Sequence, residues 1–199
     1  MISTIIFDLG DVFIDLEIEA TRNAFRKLGL TNEDHPVFVQ ANNDFEIGAI
    51  DETSFLASFQ IDNQAISKSD LKNAWNTIIG DFPQRRLDFL KNVATKYKLF
   101  LLSNTDAIHI EYFKNKVGAT FYNEFELCFE KLYFSFEMGL RKPDKAIFQK
   151  IIDEQNLIPA ETLFVDDKIE NILAAQKSGL QTYQVNNNFV DVCDLEKFI

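Results

Sequence analysis

The stretch IIFDLGD at residues 5–11, together with LFVDD at residues 163–167, decides the fold. In each stretch a short apolar run stops at an aspartate, which is typical of a buried parallel strand whose C-terminal end reaches a crevice. Ligands bind in that crevice in open α/β sheets. Because the carboxylates of Asp8, Asp166 and Asp167 would repel one another there, the pattern predicts a hard, oxygen-liganded cation such as Mg²⁺ between them.

Strands and helices alternate along the second half of the chain. From Pro83 onward, strands are predicted at residues 98–102, 132–134, 162–165 and 182–185, with helical segments before and between them. Such alternation predicts an α/β fold with a doubly wound, mostly parallel, Rossmann-like sheet.

The segment between the first strand and Pro83 has a different pattern. Apolar residues recur there at helical spacing, and no buried strand is predicted. We therefore expect a small inserted α-helical cap over the crevice. The expected division is a core of residues 1–14 plus 83–199 and a cap of residues 15–82.

The composition limits the possible partners and location of the protein. A formal net charge of -11 argues against nucleic acid as a partner. The apolar N-terminal run is cut short by Asp8, unlike a signal peptide, and no apolar run reaches transmembrane length, so no membrane partner is expected. Cys128 and Cys193 lack metal-ligand spacing, and we expect a cytoplasmic protein. Nothing fixes the oligomeric state, and a monomer or small homo-oligomer is expected.

Four short signatures follow one another along the chain, each at or just after a predicted strand. They are FDLG at 7–10, LSNT at 102–105, GLRKP at 139–143, and VDD at 165–167 continuing to Asn171. Together they resemble the haloacid dehalogenase-like (HAD) hydrolase superfamily over nearly the whole chain. The DLGxV opening and the GxRKPxxxIF loop are most similar to small-capped phosphatases, including those that act on hexose 1-phosphates.

This resemblance implies a Mg²⁺-dependent phosphatase acting on a small phosphorylated metabolite. Asp8 would be the nucleophile and would carry an aspartyl-phosphate intermediate. The ligands of Mg²⁺ would be Asp8, the backbone carbonyl of Gly10, and Asp167, with Asp166 in or just outside the ligand shell. Lys142 would balance charge on the nucleophile and the phosphoryl group.

Further residues are assigned by the same resemblance. Ser103 and Asn104 would hold the phosphoryl oxygens, and Asn171 would orient the metal ligands or the catalytic lysine. In the cap, the stretch FEIG at 45–48 is expected to form a turn that dips toward the crevice. Glu46 in that turn is a candidate for contacting sugar hydroxyls.

Position 10 departs from the pattern of the family. HAD phosphatases generally carry a second aspartate there, which protonates the leaving oxygen, whereas this chain has Gly10. Asp11 follows immediately, but adjacent residues of a strand point to opposite faces, so Asp11 is not an obvious replacement.

Three interpretations of this departure stay open. In the first, a phosphatase acts on a good leaving group, such as the anomeric oxygen of a sugar 1-phosphate. In the second, the chain is a metal-independent 2-haloacid dehalogenase, a branch that also lacks this aspartate, although retention of Asp166 and Asp167 favours Mg²⁺ and phosphate. In the third, the protein only binds phosphate or a partner, which the presence of Asp8, Ser103 and Lys142 disfavours.

Overall fold

A five-stranded parallel sheet forms the centre of the molecule. The computed structural model describes residues 1–30, 35–60, 65–186 and 190–198. The strands are β1 (Thr4–Phe7), β2 (Lys98–Ser103), β3 (Lys131–Phe134), β4 (Thr162–Asp166) and β5 (Gln181–Gln184). They lie in the order β3-β2-β1-β4-β5, and each neighbouring pair is parallel. Each predicted strand is present; β2, β3 and β4 differ from the prediction by one residue at one end, and β5 is shifted by one residue at both ends.

Helices cover both faces of the sheet. Those that follow β1 are α1 (Ile18–Lys27), α2 (Pro36–Glu46), α3 (Glu52–Ser58), α4 (Lys68–Asn76) and α5 (Gln84–Ala94). Those that follow β2 are α6 (Ala107–Val117), α7 (Ala119–Glu126), α8 (Ser135–Met138), α9 (Lys145–Gln155) and α10 (Ile169–Lys177). Short 3₁₀ segments lie at Pro159–Glu161 and Val192–Lys197.

The alternation of side chains along β1 explains the two covering layers. Ile5 and Phe7 pack into one apolar cluster with α5, whereas Ile6 packs into another with α9 and α10. Because successive residues of a strand point to opposite faces, a strand that is apolar throughout must be covered on both sides. The predicted doubly wound α/β fold is therefore confirmed.

Helices α1 to α4 form the inserted helical segment, residues 18–76. Its apolar side chains make a separate cluster that includes Phe25, Phe45 and Phe55. The chain enters and leaves this segment side by side, because Leu16 pairs with Ile79 in an antiparallel bridge. The exact division into core and cap stays a prediction. Within the described residues, no helix is long and apolar enough to cross a membrane.

Candidate active site

The C-terminal ends of three adjacent strands bring the predicted residues together. Phe7, the last residue of β1, pairs with Val165 of β4 and with Leu101 of β2. In this register, the residues that follow these parallel strands lie at the same edge of the sheet. Asp8 and Asp166 therefore meet at one crevice.

Lys142 lies at the floor of this crevice between two carboxylates. Its Nζ is 2.7 Å from Oδ1 of Asp8 and 2.8 Å from Oδ2 of Asp166. It also donates a hydrogen bond to the carbonyl of Leu102. Lys142 is 1% exposed and Asp166 is fully buried. The loop that carries the predicted GLRKP signature thus delivers its lysine to the predicted nucleophile.

Burial and charge act in opposite directions on this cluster. Burial alone would lower the pKa of Lys142, but Asp166 and Asp8 outweigh it, so that pKa is raised and the side chain is a cation. Burial raises the pKa of Asp8; Lys142 opposes this effect and Asp166 adds to it. One ammonium group thus faces two buried carboxyl groups. A second positive charge at the site would therefore be electrostatically favourable.

Asp166 uses both carboxylate oxygens to hold its neighbours. Oδ1 accepts hydrogen bonds from the backbone N–H of Lys168 and from the side chain of Asn171, at 2.8 and 3.0 Å. Oδ2 accepts from Lys142 and, at 3.1 Å, again from Asn171. This arrangement orients the lysine and leaves Asp166 poorly placed to give an oxygen to a metal ion.

Three carboxylates at the crevice fit the donor set of a hard cation. Oxygens of Asp8, Asp166 and Asp167 all lie within 4.8 Å of one another, and no other such group occurs in the described residues. Burial, and then the charge of Asp166, raise the pKa of Asp167 to about 6. An all-oxygen set with unrelieved repulsion suits Mg²⁺, and Asp8 and Asp167 are the members with oxygens to offer.

The two phosphate-binding candidates have different surroundings. Ser103, the last residue of β2, is buried beside the crevice. Asn104 accepts a hydrogen bond from the backbone N–H of Lys142 at 2.9 Å and donates one to its carbonyl at 2.8 Å. The amide of Asn104 therefore ties the 102–105 stretch to the loop that carries Lys142.

The turn after β1 corrects one sequence argument. β1 ends at Phe7, so Asp11 is not a strand residue and the rule of alternating faces does not apply to it. Asp11 has φ of 53° and accepts a hydrogen bond from the backbone N–H of Leu16 at 3.0 Å. Its side chain supports the turn around Gly10, which lines the crevice.

The helical segment contributes Glu46 to the crevice wall. Phe45 and Glu46 are the last residues of helix α2, so the turn begins at Ile47, two residues later than predicted. A carboxylate oxygen of Glu46 lies 2.9 Å from Nη2 of Arg141 in the GLRKP loop. Burial raises the pKa of Glu46, and Arg141 opposes that effect. This ion pair joins the helical segment to the loop of Lys142.

The sequence analysis did not predict a cluster of three polar side chains beside the crevice. Trp75 Nε1 donates to Oδ2 of Asp106 at 3.0 Å, and His109 Nδ1 lies 2.9 Å from the same oxygen. The rings of Trp75 and His109 stack with centroids 4.8 Å apart. The only available signal was Asp106 three residues before His109, where it caps helix α6. Together these residues join α4 to the loop that follows Ser103.

The sequence model of the haloacid dehalogenase-like hydrolase family matches residues 2–179. A solved structure that is 31% identical covers 94% of the chain. The chain therefore belongs to this family, and the family predicted from the four signatures is confirmed.

Similar proteins come from Bacteroides thetaiotaomicron. D-ribitol-5-phosphate phosphatase is 29% identical over 192 residues, 94% of this chain and 93% of that protein. The HAD family enzyme bt-2542, in complex with magnesium and inorganic phosphate, has a TM-score of 0.84 at 31% identity, covering 94% of this chain and 96% of that one. L-2-haloacid dehalogenase from Xanthobacter autotrophicus, with a TM-score of 0.61 at 16% identity, covers 93% and 78% and shows a shared fold alone.

Proposed function

We propose that the protein is a Mg²⁺-dependent phosphatase of a small phosphorylated metabolite, with Asp8 as the nucleophile. The observation that carries this proposal is the approach of Asp8 and Asp167 at one crevice, with Lys142 2.7 Å from Asp8. Two similar proteins support it. One is named a phosphatase, and the solved structure of the other is a complex with magnesium and inorganic phosphate.

The reaction divides into two displacements at phosphorus. A carboxylate oxygen of Asp8 attacks the phosphorus atom, and the bond from phosphorus to the leaving oxygen breaks. Water then cleaves the aspartyl-phosphate and restores Asp8. Lys142 favours the ionised form of Asp8 before the attack, in opposition to burial, and it is itself held in place by Asp166.

The metal would be held by Asp8, the carbonyl of Gly10, and Asp167. When bound, Mg²⁺ supplies the positive charge that lets a carboxylate approach a phosphate dianion. We assign Asp166 to holding Lys142 and Asn171, because both of its oxygens already accept hydrogen bonds.

The remaining assignments concern the phosphate and the leaving group. Ser103 would bind phosphoryl oxygens, while Asn104 acts through the backbone of Lys142 that its amide holds. The helical segment would act as the cap, with residues 15–82 as its extent, and Glu46 would contact the leaving group. A cytoplasmic location and a monomer or small homo-oligomer stay predictions.

The absence of an aspartate at position 10 favours a substrate whose leaving oxygen needs little protonation, of which a sugar 1-phosphate is one example. By its name, the relative from Bacteroides thetaiotaomicron acts on a phosphate ester of a sugar alcohol. Substrates of both kinds therefore belong in the test.

The test is hydrolysis of p-nitrophenyl phosphate with and without Mg²⁺, by the wild type and by Asp8→Asn. The expected result is Mg²⁺-dependent release of p-nitrophenol by the wild type and none by the variant.

Glucose 1-phosphate is then compared with glucose 6-phosphate, and faster cleavage of glucose 1-phosphate is expected. Chloride release from 2-chloropropionate without metal would replace the proposal with the dehalogenase alternative, and no turnover of any ester would favour a binding protein.

A further inference from the structure

One wall of the crevice carries buried polar atoms that lack hydrogen bonds. They are Oδ1 of Asn42, Oε2 of Glu46 and Nε of Arg141. Of five such side-chain atoms in the described part of the chain, these three belong to residues that line the same crevice. Buried polar atoms normally have partners, so a cluster without them indicates a missing polar ligand.

The three residues are held in place by the surrounding structure. Asn42 and Glu46 are four residues apart on helix α2 and therefore lie on the same face of it. Arg141 of the GLRKP loop contacts the same helix, where its Nη1 donates to Asn43 and its Nη2 lies 2.9 Å from Glu46. Although Oε2 of Glu46 is at ion-pair distance from Arg141, the angle does not make a hydrogen bond, and the oxygen keeps its accepting capacity.

The chemistry of these atoms specifies a ligand. Two oxygens need donors and one N–H needs an acceptor. A hydroxyl group is both donor and acceptor, so neighbouring hydroxyls of one molecule satisfy all three atoms. The cavity against these residues, which Gly10 and Ser103 also line, has a volume of about 190 Å³ and suits a short carbon skeleton.

We propose that Asn42, Glu46 and Arg141 form a hydroxyl-binding subsite for the leaving group of a polyhydroxylated phosphate monoester, an alditol or sugar phosphate. This inference rests on the proposed phosphatase function and adds Asn42 and Arg141 as specificity-determining residues. A substrate without hydroxyls leaves these buried groups unpaired and is rejected for that reason.

The direct test compares substrates that differ only in their hydroxyls. D-Ribitol 5-phosphate is paired with n-pentyl phosphate, and myo-inositol 1-phosphate with cyclohexyl phosphate, all with Mg²⁺. For at least one pair, kcat/KM of the wild type is expected to favour the hydroxylated member by about ten-fold or more. Ratios near one for both pairs would overturn the inference without any variant being needed.

The variant Asn42→Leu tests the residue itself. It is expected to lower kcat/KM on the preferred hydroxylated substrate about ten-fold, mainly through KM, while the rate on p-nitrophenyl phosphate stays within about two-fold. Asn73→Leu, at an exposed position of helix α4 outside the crevice, is the matched control and should change neither rate. Equal losses on both substrates would show a structural role and overturn the assignment.

The two proposals fail in distinguishable ways. If the wild type hydrolyses p-nitrophenyl phosphate with Mg²⁺ but shows no preference for hydroxylated substrates, only the subsite is wrong. If the wild type hydrolyses no phosphate ester, the phosphatase function is wrong and the subsite is overturned with it.

Discussion

The floor of the crevice and its helical wall are held together by different forces. At the floor, Lys142 is buried between Asp8 and Asp166. In the helical segment, stacked rings dominate, such as Phe45 on Phe55 with centroids 4.4 Å apart. Buried charges tolerate one arrangement only, because removing one partner leaves another charge unpaired. Apolar packing tolerates substitution if volume is kept.

We infer from this difference that the floor serves the reaction and that the wall serves the choice of substrate. In the proposed function, groups at the floor would contact the phosphoryl group that every phosphate ester shares, whereas the wall would contact the leaving group, in which substrates differ. Substitutions at the floor should therefore affect all substrates alike, and those at the wall should affect some substrates only. The following predictions either sharpen this contrast or break it.

The largest effect is expected from Asp8→Asn. The amide cannot attack phosphorus, so the rate with every substrate should fall by at least about three orders of magnitude. The fold should be retained, since Asp166 still pairs with Lys142. Steady-state kinetics with Mg²⁺ and thermal unfolding measure the two effects. A variant that keeps a tenth of the wild-type rate would mean that Asp8 is not the nucleophile.

Lys142→Met should damage both activity and stability. It leaves Asp8 and Asp166 buried without their cation, at a cost of about 3–5 kcal/mol in the free energy of unfolding, and it should slow every substrate about a hundred-fold or more. Urea unfolding and kinetics test both. Lys145→Met, at an exposed position in the same region, should change neither quantity. Equal stability of the two variants would contradict the described role of Lys142.

Stability without metal should fall as the pH rises. The pKa of Asp167 is raised from 3.8 in the unfolded chain to about 6, so the folded state binds the proton more tightly. The stabilisation is complete below the lower value and is lost as the pH rises through about 6. Mg²⁺ binds the ionised carboxylates, so the increase in Tm that it produces should be larger at about pH 7.5 than at about pH 5.

The control for this pH effect is Asp167→Asn. Because the amide has no proton to lose and binds Mg²⁺ weakly, the variant should show a smaller Tm increase that changes little between the two pH values. An increase in Tm as large as that of the wild type would remove Asp167 from the metal site.

Glu46→Gln should have the smallest effect on catalysis. The variant keeps hydrogen-bonding capacity but loses the ion pair with Arg141. We expect the rate on p-nitrophenyl phosphate to stay within about two-fold, and kcat/KM on the preferred sugar phosphate to fall about five-fold. If both substrates lost activity equally, Glu46 would belong with the floor, and the division between chemistry and selection would fail.

Much of the fold was predictable because its signals are local. Apolar runs that end at an aspartate marked β1 and β4, and the alternation of strands and helices predicted the doubly wound sheet. Strand ends were displaced by one residue, at both ends in β5, since neighbouring strands decide where the ladder stops. The argument from alternating strand faces does not hold for Asp11, because β1 ends at Phe7 and Asp11 has a positive φ outside the strand.

The candidate site was predictable only where its residues belong to signatures. Asp8, Ser103 and Lys142 stand at strand ends or in marked loops. The cluster of Trp75, Asp106 and His109 joins residues up to 34 positions apart, and no spacing in the sequence predicts it. For the same reason Asn42 was unremarkable until its oxygen was found in the crevice without a partner.

The sequence by itself determined the sheet and the family, and it proposed Asp8 as the nucleophile, because strand periodicity and short motifs depend on neighbouring residues. Only the tertiary structure decided that Asp166 serves Lys142 while Asp167 stays available to a cation, since adjacent carboxylates differ solely in what surrounds them. It also decided which polar atoms of the wall are unpaired, because burial and hydrogen-bond geometry arise from segments that meet only when the chain folds.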